Sequence, residues 1–370
     1  MVILISVWKS LISPFAVQYY YLAGGSILLL GVIEGVLEIL TMFPPLLGLF
    51  ILRRYGLRYA ILLSILLDLF GLGFFLLGSP VPVLVSIAVW SFSRMRAPVI
   101  KSVIAYASKK KGQAFGLLET ITGIVSAVCP TLASFMLASF GTFMGLKILT
   151  VIALFLSFAS LLDTVFGLND SSYSMRSSEG FIQNLRVIIQ ETGNFKTSLL
   201  AFVLLEGIEG LGYLYPVIAV DYGCEPWLWG LVISASVLAS TPAPVLAGRL
   251  LDKAGEKAIL IRAFMLCLAL LFACSFALPN YFWAFYIAIV FCGTALHTLA
   301  NAYIAYAYRT GEHGEVYAVL NSLGAVAASL VALLAGSIYT IHRVSVFLLG
   351  ILMLILAIVM VPSHKRSIAT

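Results

Sequence analysis

Long runs of apolar residues dominate the chain, and short turns with glycine, proline or charged residues separate them. The runs lack the alternation of apolar and polar residues that marks strands, so they predict helices. Each run is close to the roughly 20 residues that a helix needs to cross the hydrocarbon core of a bilayer. We therefore predict twelve membrane-spanning helices, named spans 1 to 12, at residues 2–22, 26–50, 58–78, 81–106, 113–138, 143–166, 197–220, 226–250, 257–278, 281–306, 314–339 and 342–362.

One polar stretch divides these spans into two sets of six. Its first part is rich in serine, which is typical of a flexible linker. Its second part, residues 181–189, has apolar residues at helical spacing and predicts a short amphipathic helix on the membrane surface. We predict an N-terminal six-helix bundle at residues 1–166, a cytoplasmic linker at 167–196 and a C-terminal six-helix bundle at 197–370. The amphipathic helix is interpreted as a cover over the hinge, with a regulatory element as the alternative.

Composition agrees with a chain that is dissolved in lipid. Apolar residues make up 62% of the chain and charged residues 10%, whereas soluble domains carry about 25% charged residues. The net charge of +6 comes from basic residues scattered among short loops, so we expect no nucleic-acid partner. The five cysteines lack metal-ligand spacing and no phosphate-binding loop is present, so we expect no metal, no cofactor and no ATP-driven step.

Lysine and arginine residues are distributed unequally between the two sides of the predicted bundle. With the N-terminus inside, the inner loops and the tail carry sixteen of them, and the outer loops carry two, Lys147 and Arg343. Positively charged loops tend to stay in the cytoplasm. We therefore predict a multi-pass protein of the cytoplasmic (plasma) membrane with both termini in the cytoplasm.

The two halves of the chain resemble each other. A shift of 199 residues places Gly31 on Gly230, and "KGQAFGLLET" at residues 111–120 parallels "HGEVYAVLNS" at residues 313–322. Parallel repeats in membrane carriers are related by an axis along the membrane normal, and the interface between them can open to either side. The fold class that we predict is an all-α polytopic membrane protein with twelve transmembrane helices in two pseudo-symmetric six-helix bundles.

The stretch "GRLLDKAGEK" at residues 248–257 concentrates charge in a short turn between spans 8 and 9. Its form, G-x-L-x-D-K-x-G-x-K, resembles the cytoplasmic loop signature of the major facilitator superfamily. The first-half copy, "LFILRRYGLRYAI" at residues 49–61, has an arginine where the aspartate is expected. The resemblance implies a cytoplasmic gate that closes when the central cavity faces outward, formed by Gly248, Asp252, Lys253, Gly255 and Lys257 in the second half and by Arg53, Arg54, Gly56 and Arg58 in the first.

The resemblance also implies that spans 1, 4, 7 and 10 surround one site near the middle of the membrane. Span 7 carries Glu206, Glu209 and Tyr213, which an unbroken helix presents on one face. Ionisable residues near the bilayer centre cost about 2.5–3.5 kcal/mol each, and desolvation favours the protonated form of a carboxylate. We predict that the two glutamates couple transport to protons or bind substrate; a structural pair with a basic residue of another span is the alternative.

Further polar side chains lie within spans 2, 4 and 10. Arg94 resembles the superfamily's arginine in span 4, and Glu34 and Glu38 share one face of span 2. Span 10 carries a polar stripe that includes His297 and Asn301. We predict that these side chains contact the substrate or the coupling ion, and hydrogen-bonded packing is the alternative for the histidine.

These observations predict a secondary active transporter, not an enzyme, that moves a small-molecule substrate by alternating access. Protons are the expected coupling ion, with another ion as the alternative, and the short loops favour an efflux or general solute carrier. A non-transporting receptor or scaffold would not need buried carboxylates and arginines, and no nucleophile constellation supports an intramembrane enzyme. We expect a monomer in the lipid bilayer.

Overall fold

The structure, a computed structural model, describes residues 2–40, 54–96, 111–167, 193–253, 257–307 and 313–361, together with Leu47 and Ile51. All regular secondary structure in these ranges is helical. Spans 1 to 6 comprise the helices Val2–Leu22, Ile27–Leu40, Leu57–Leu77, Pro80–Phe92, Lys111–Phe140 and Thr142–Gly167. Spans 7 and 8 each consist of two helices, Gly193–Glu209 with Tyr215–Asp221 and Pro226–Ser240 with Ala243–Lys253. Spans 9 to 12 comprise Lys257–Ala277, Phe282–Ala307, His313–Ile341 and Val346–Met360.

The twelve predicted spans are confirmed in number and order. Nine helices in the described ranges are long and apolar enough to cross a membrane, and Pro80–Phe92 is a shorter apolar helix. Span 7 begins at Gly193, four residues before its predicted start. The predicted surface helix at residues 181–189 and the inner ends of spans 2 and 4 lie outside the described residues.

Each half of the chain packs around a hydrophobic core of its own. The core of spans 1 to 6 is built on large buried side chains such as Trp8 and Phe75, and the core of spans 7 to 12 on Trp229 and Phe272. One residue of span 2, Ile27, packs into the second core. The helices thus form two bundles, which contact each other mainly through spans 2 and 11 and through spans 5 and 8.

The outward faces of the helices carry large apolar side chains. Phe155, Phe166 and Val359 are 72%, 82% and 77% exposed. A soluble monomer rarely shows contiguous apolar surface of this kind. Lipid chains are the solvent that such a surface requires.

A glycine brings span 2 into backbone contact with span 11 of the other half. A Cβ atom added at Gly31 would lie 3.1 Å from both the Ala332 carbonyl oxygen and the Gly336 Cα atom. These separations are tighter than most contacts of a Cβ atom, so a larger residue at Gly31 requires the span 11 backbone to shift by a few tenths of an ångström.

A second glycine makes the same kind of contact between spans 8 and 5. A Cβ atom at Gly230 would lie 2.8 Å from the Pro130 carbonyl oxygen and would overlap the Ser134 hydroxyl. The internal repeat relates the two contacts. The shift of 199 residues carries Gly31 to Gly230. The shift of 202 residues, which aligns residues 111–120 with 313–322, carries Pro130 to Ala332 and Ser134 to Gly336. The interface between the halves is therefore pseudo-symmetric.

A buried ion pair joins spans 3 and 4 inside the first half. The Arg96 guanidinium donates to the Asp68 carboxylate, and their side chains are 6% and 0% exposed. Charged groups within a membrane bundle persist where they are paired, so this pair has a structural role in the first core.

We expect Gly230→Ala to weaken the contact between the halves. The added methyl group has no room against span 5, and overpacking of this kind costs about 1–3 kcal/mol. Thermal unfolding in detergent should show a lower Tm. The matched control is Gly73→Ala in span 3, where a Cβ atom meets nothing within 4 Å. Equal Tm values for the two variants would contradict the assignment of a close contact at Gly230.

We expect Asp68→Asn to destabilise the first half strongly. The substitution leaves the Arg96 guanidinium buried without a counter-charge, which typically costs about 3–5 kcal/mol. The same unfolding measurement tests it, with the double variant Asp68→Leu, Arg96→Met as the control because it removes both charges. A single variant as stable as the double variant would show that the pair is not needed.

Candidate functional site

Span 7 is interrupted midway along its length. Its first helix ends at Glu209 and the second begins at Tyr215, with a 3-10 turn between them. The Gly210 amide donates to the Gly207 carbonyl oxygen at 3.0 Å, which is a bond across three residues instead of the four of an α-helix. Gly210 also packs directly on the backbone of Ala328 in span 11. The glycines of span 7 therefore lie at both the bend and the close packing against span 11.

A cavity of about 330 Å³ lies beside this break, between spans 7, 9 and 10. Most of its lining is aliphatic or aromatic. The Tyr215 and Tyr286 rings form part of its wall, with centroids 5.7 Å apart in an edge-to-face arrangement. The lining side chains that carry a polar group are Glu206, Glu209, Tyr215, Tyr286, Thr294 and His297.

Glu206 and His297 form the polar centre of this cavity. The His297 Nδ1 atom lies 3.2 Å from the Glu206 Oε1 atom. One ligand atom from each of Glu206, Glu209 and His297 lies within 4.8 Å of the others. The His297 side chain is 51% exposed and the Glu206 side chain 18%, so the cluster is accessible from the cavity. The structure thus brings together three predicted site residues from two spans.

Span 11 supports the cluster from behind. A Cβ atom at Gly324 would lie 2.7 Å from the Cβ atom of Glu206. No side chain therefore lies between the span 11 backbone and the Glu206 side chain at this point.

Tyr213 lies apart from the two glutamates. Its hydroxyl donates to the Ala332 carbonyl oxygen of span 11 at 2.9 Å, next to Gly31. The single helical face expected for Glu206, Glu209 and Tyr213 is not observed, because the 3-10 turn changes the rotation per residue. Tyr215, which begins the second helix of span 7, lines the cavity instead.

A smaller cavity of about 180 Å³ lies in the first half between spans 1, 2 and 4. Glu34, a predicted site residue, lines it together with Lys9, Trp8 and Trp90. The Lys9 Nζ atom donates to the Ser93 hydroxyl at 3.2 Å. Lys9 is not among the predicted site residues, because a lysine in the inner half of a span can equally extend to the membrane surface.

The remaining predicted site residues are Glu38, Arg94 and Asn301. Glu38 is half-buried in span 2, one turn away from Glu34, and does not line either of these cavities. The backbone of Arg94 lies in a 3-10 turn after span 4 and that of Asn301 lies in span 10. Both of these side chains fall outside the described residues.

A polar cluster lies at the end of the bundle that carries the loops after spans 1, 7 and 11. We call this end the outer end, because its loops carry few lysine and arginine residues. The Asp221 carboxylate accepts hydrogen bonds from the Tyr21 hydroxyl of span 1, at 2.7 Å, and from the Tyr339 hydroxyl of span 11. The Arg343 guanidinium lies 3.4 Å from it. Gln18 of span 1 also donates to the backbone of span 7, at 3.2 Å. We name the four side chains Asp221, Tyr21, Tyr339 and Arg343 the outer latch.

The predicted gate residues are only partly described. Gly56 has φ +92°, a left-handed conformation that favours glycine, as expected for the turn before span 3. Gly248 lies within the second helix of span 8 and Lys253 at its end. Arg53 and Gly255 lie outside the described residues, as do the side chains of Asp252 and Lys257. The structure does describe Arg54 and Arg58, which lie two residues before and after Gly56 in the chain.

Comparisons with known proteins place this fold. Residues 197–367 match the family model of the Major Facilitator Superfamily, and no curated protein matches the chain. A mutant of the nucleoside transporter NupG is similar in structure, with a TM-score of 0.79, 13% identity and coverage of 97% of this chain and 96% of that chain. A D-xylose-proton symporter gives a TM-score of 0.73, 13% identity and coverage of 98% and 96%. A bacterial homologue of the iron transporter ferroportin in an inward-facing state gives 0.72, 14% identity and coverage of 97% and 95%.

The family match covers the second half of the chain, and the similar structures extend the same fold over its whole length. The predicted resemblance and the transporter class are thereby confirmed, and the subfamily is not specified. The second half of the chain thus matches the Major Facilitator Superfamily, and the whole chain has the fold of the similar membrane transporters.

Proposed function

We propose that this protein is a secondary active transporter of a small solute in the cytoplasmic membrane, with proton coupling through Glu206, Glu209 and His297. The observation that supports this most directly is the carboxylate–imidazole cluster in a cavity at the break of span 7. Interrupted helices at the membrane midplane are typical of substrate and coupling-ion sites in secondary transporters. Among the similar structures is a D-xylose-proton symporter, so proton coupling occurs on this fold.

The cluster has the chemistry that proton coupling needs. A carboxylate and an imidazole 3.2 Å apart share one proton readily, and a neighbouring second carboxylate attracts another. The titratable side chains that line the described part of the cavity with the glutamates include His297 and Tyr286 of span 10 and Tyr215 of span 7. Protonation of the cluster therefore changes the charge of the cavity directly.

The outer latch indicates how the two halves alternate. It joins span 1 of the first half to spans 7 and 11 of the second. The contacts at Gly31 and Gly230 lie near the first residues of spans 2 and 8, and both of these spans start at the outer side. We therefore interpret this conformation as inward-facing. Opening towards the outside requires the latch to separate, while the gate loops at the opposite end come together.

We expect Glu206→Gln and Glu209→Gln to abolish proton-driven accumulation but to retain solute exchange. The amides cannot exchange a proton, whereas the cavity and the rocking motion remain. Proteoliposomes with an imposed pH gradient should be screened with nucleosides, pentoses, organic anions, metal ions and organic cations. A sodium gradient without a pH difference tests the alternative coupling ion.

The matched control for this experiment is Glu225→Gln, which removes a carboxylate from an outer loop. It should accumulate solute like the parent protein. Full gradient-driven uptake by both cavity variants would show that the coupling assignment is wrong, even if transport itself is observed.

We expect Asp221→Asn to shift the protein towards the outward-open state. Hydrogen bonds to a charged group contribute about 1.5–3 kcal/mol each, so losing the charge should raise outward opening by about tenfold or more. The opening is measured in a cysteine-free version of the protein that carries Val17→Cys in span 1. An impermeant maleimide is added outside, and the rate at which it labels the new cysteine reports outward opening. Thr340→Val is the control, since that hydroxyl donates to the Ser337 carbonyl of its own helix. Equal labelling of the two variants would contradict the latch.

A further inference from the structure

We propose that Cys267 and Cys292 form a redox-sensitive pair of thiols, which is converted to a disulfide when lipid hydroperoxides reach the middle of the membrane. Cys267 lies in span 9 and Cys292 in span 10, 25 residues apart in the chain. Their Sγ atoms are 3.7 Å apart, so one thiol donates a hydrogen bond to the other. Both residues lie outside the linings of the two cavities described above.

The two thiols lie at the depth of the lipid chains. Cys267 is near the middle of the 21-residue helix Lys257–Ala277, and Cys292 comes ten residues after Phe282, the first residue of its helix. Ten residues of helix rise about 15 Å, which is half of a hydrocarbon core of about 30 Å. An oxidant that is dissolved in the lipid therefore has direct access to this level of the protein.

The two cysteines differ in exposure, and this difference assigns a role to each. Cys267 is exposed, and it lies beside Leu266 and Leu270, which are 54% and 58% exposed on the apolar outer surface of span 9. Cys292 is only 8% exposed. A cysteine that is oxidised to a sulfenic acid forms a disulfide when a second thiol is next to it. Cys267 is thus the thiol that meets the oxidant, and Cys292 is the thiol that resolves the intermediate.

The reaction consists of two balanced steps. In the first step, the Cys267 sulfur takes the terminal hydroxyl of the hydroperoxide. The O–O bond breaks, an S–O bond forms, and the lipid leaves as an alcohol that carries the thiol proton. In the second step, the Cys292 sulfur attacks the sulfenic acid, an S–S bond replaces the S–O bond, and the hydroxyl leaves with the second thiol proton as water. The two thiols lose two electrons, and the lipid hydroperoxide is reduced by the same two electrons.

The disulfide links two walls of the larger cavity. Leu268, the residue after Cys267, and Gly293, the residue after Cys292, both line that cavity. Formation of the bond draws the two sulfur atoms together by about 1.7 Å, so it also fixes the separation of spans 9 and 10 beside the cavity. We therefore expect oxidation to reduce solute uptake, an effect that rests on the proposed transport function.

The test uses the full chain, purified under reducing conditions and reconstituted in liposomes. The liposomes are treated with cumene hydroperoxide, which dissolves in the lipid phase. Remaining thiols are then alkylated after denaturation, and unreduced peptides are analysed by mass spectrometry. We expect the number of free thiols to fall from five per chain to three, with one pair of peptides joined through Cys267 and Cys292. Dithiothreitol should restore all five.

Two variants assign the roles of the thiols. Cys292→Ser should stop the reaction at a sulfenic acid on Cys267, which dimedone traps. Cys274→Ser is the matched control, because Cys274 is also exposed on span 9, and it should form the same disulfide as the parent protein. The measurement on the parent protein needs no variant. Five free thiols after treatment, or a disulfide through Cys274 or between two chains instead, would overturn the proposal.

Uptake measured before and after oxidation separates this inference from the proposed function. Absence of uptake by the untreated protein would contradict the transport function, and the disulfide measurement, which needs no solute, would still decide the redox site. A loss of uptake that dithiothreitol reverses and that Cys292→Ser prevents would support regulation by the pair. Full uptake by chains that contain the disulfide would overturn the effect on the cavity.

Discussion

The close approach of helix backbones at Gly31 and Gly230 is the constraint on which the arrangement of the two halves depends. At each of these points a Cβ atom on the glycine of one bundle would lie within 3.1 Å of a backbone carbonyl oxygen of the other bundle, and the Tyr213 and Ser134 hydroxyls lie closer still. In a membrane, where lipid is as apolar as the helices, such small-residue contacts are a main source of helix association. Because the repeat relates the two contacts, each half meets the other in an equivalent way.

Charged groups within the bundle separate into structural and functional sets by their exposure. The Asp68–Arg96 pair is almost completely buried within one half, so it stabilises packing and cannot meet a solute. The Glu206–His297 pair also joins an acidic and a basic side chain, but its His297 side chain is 51% exposed. The second pair faces a cavity, and for that reason we propose that its charge changes during transport.

The sequence predicts the features that depend on the bilayer and on local periodicity. The twelve spans follow from the thickness of the membrane, and the repeat follows from residue matches such as Gly31 with Gly230. The cluster of Glu206, Glu209 and His297 was predicted residue by residue, although its geometry was not. Whether these residues couple transport stays a prediction.

The features that the sequence does not predict depend on tertiary contacts. The break in span 7 requires the fit of Gly210 against span 11, which no local pattern encodes, and it is this break that moves Tyr213 out of the expected face. Asp221 lies one residue beyond the predicted end of span 7, where an acidic residue would ordinarily be solvated. Only the tyrosines brought from spans 1 and 11 make it a latch.

The two cavities occupy equivalent places in the repeat but differ in chemistry. The shift of 199 carries Lys9 to Ile208, Ser13 to Gly212 and Ala16 to Tyr215, and the shift of 200 carries Trp90 to Val290; all eight residues line one cavity or the other. The same shift of 199 places Glu206 and Glu209 opposite Val7 and Ser10, so the acidic pair has no counterpart in the first half. The rocking motion that we propose uses the symmetry of the halves, whereas the proposed proton chemistry belongs to the second half alone.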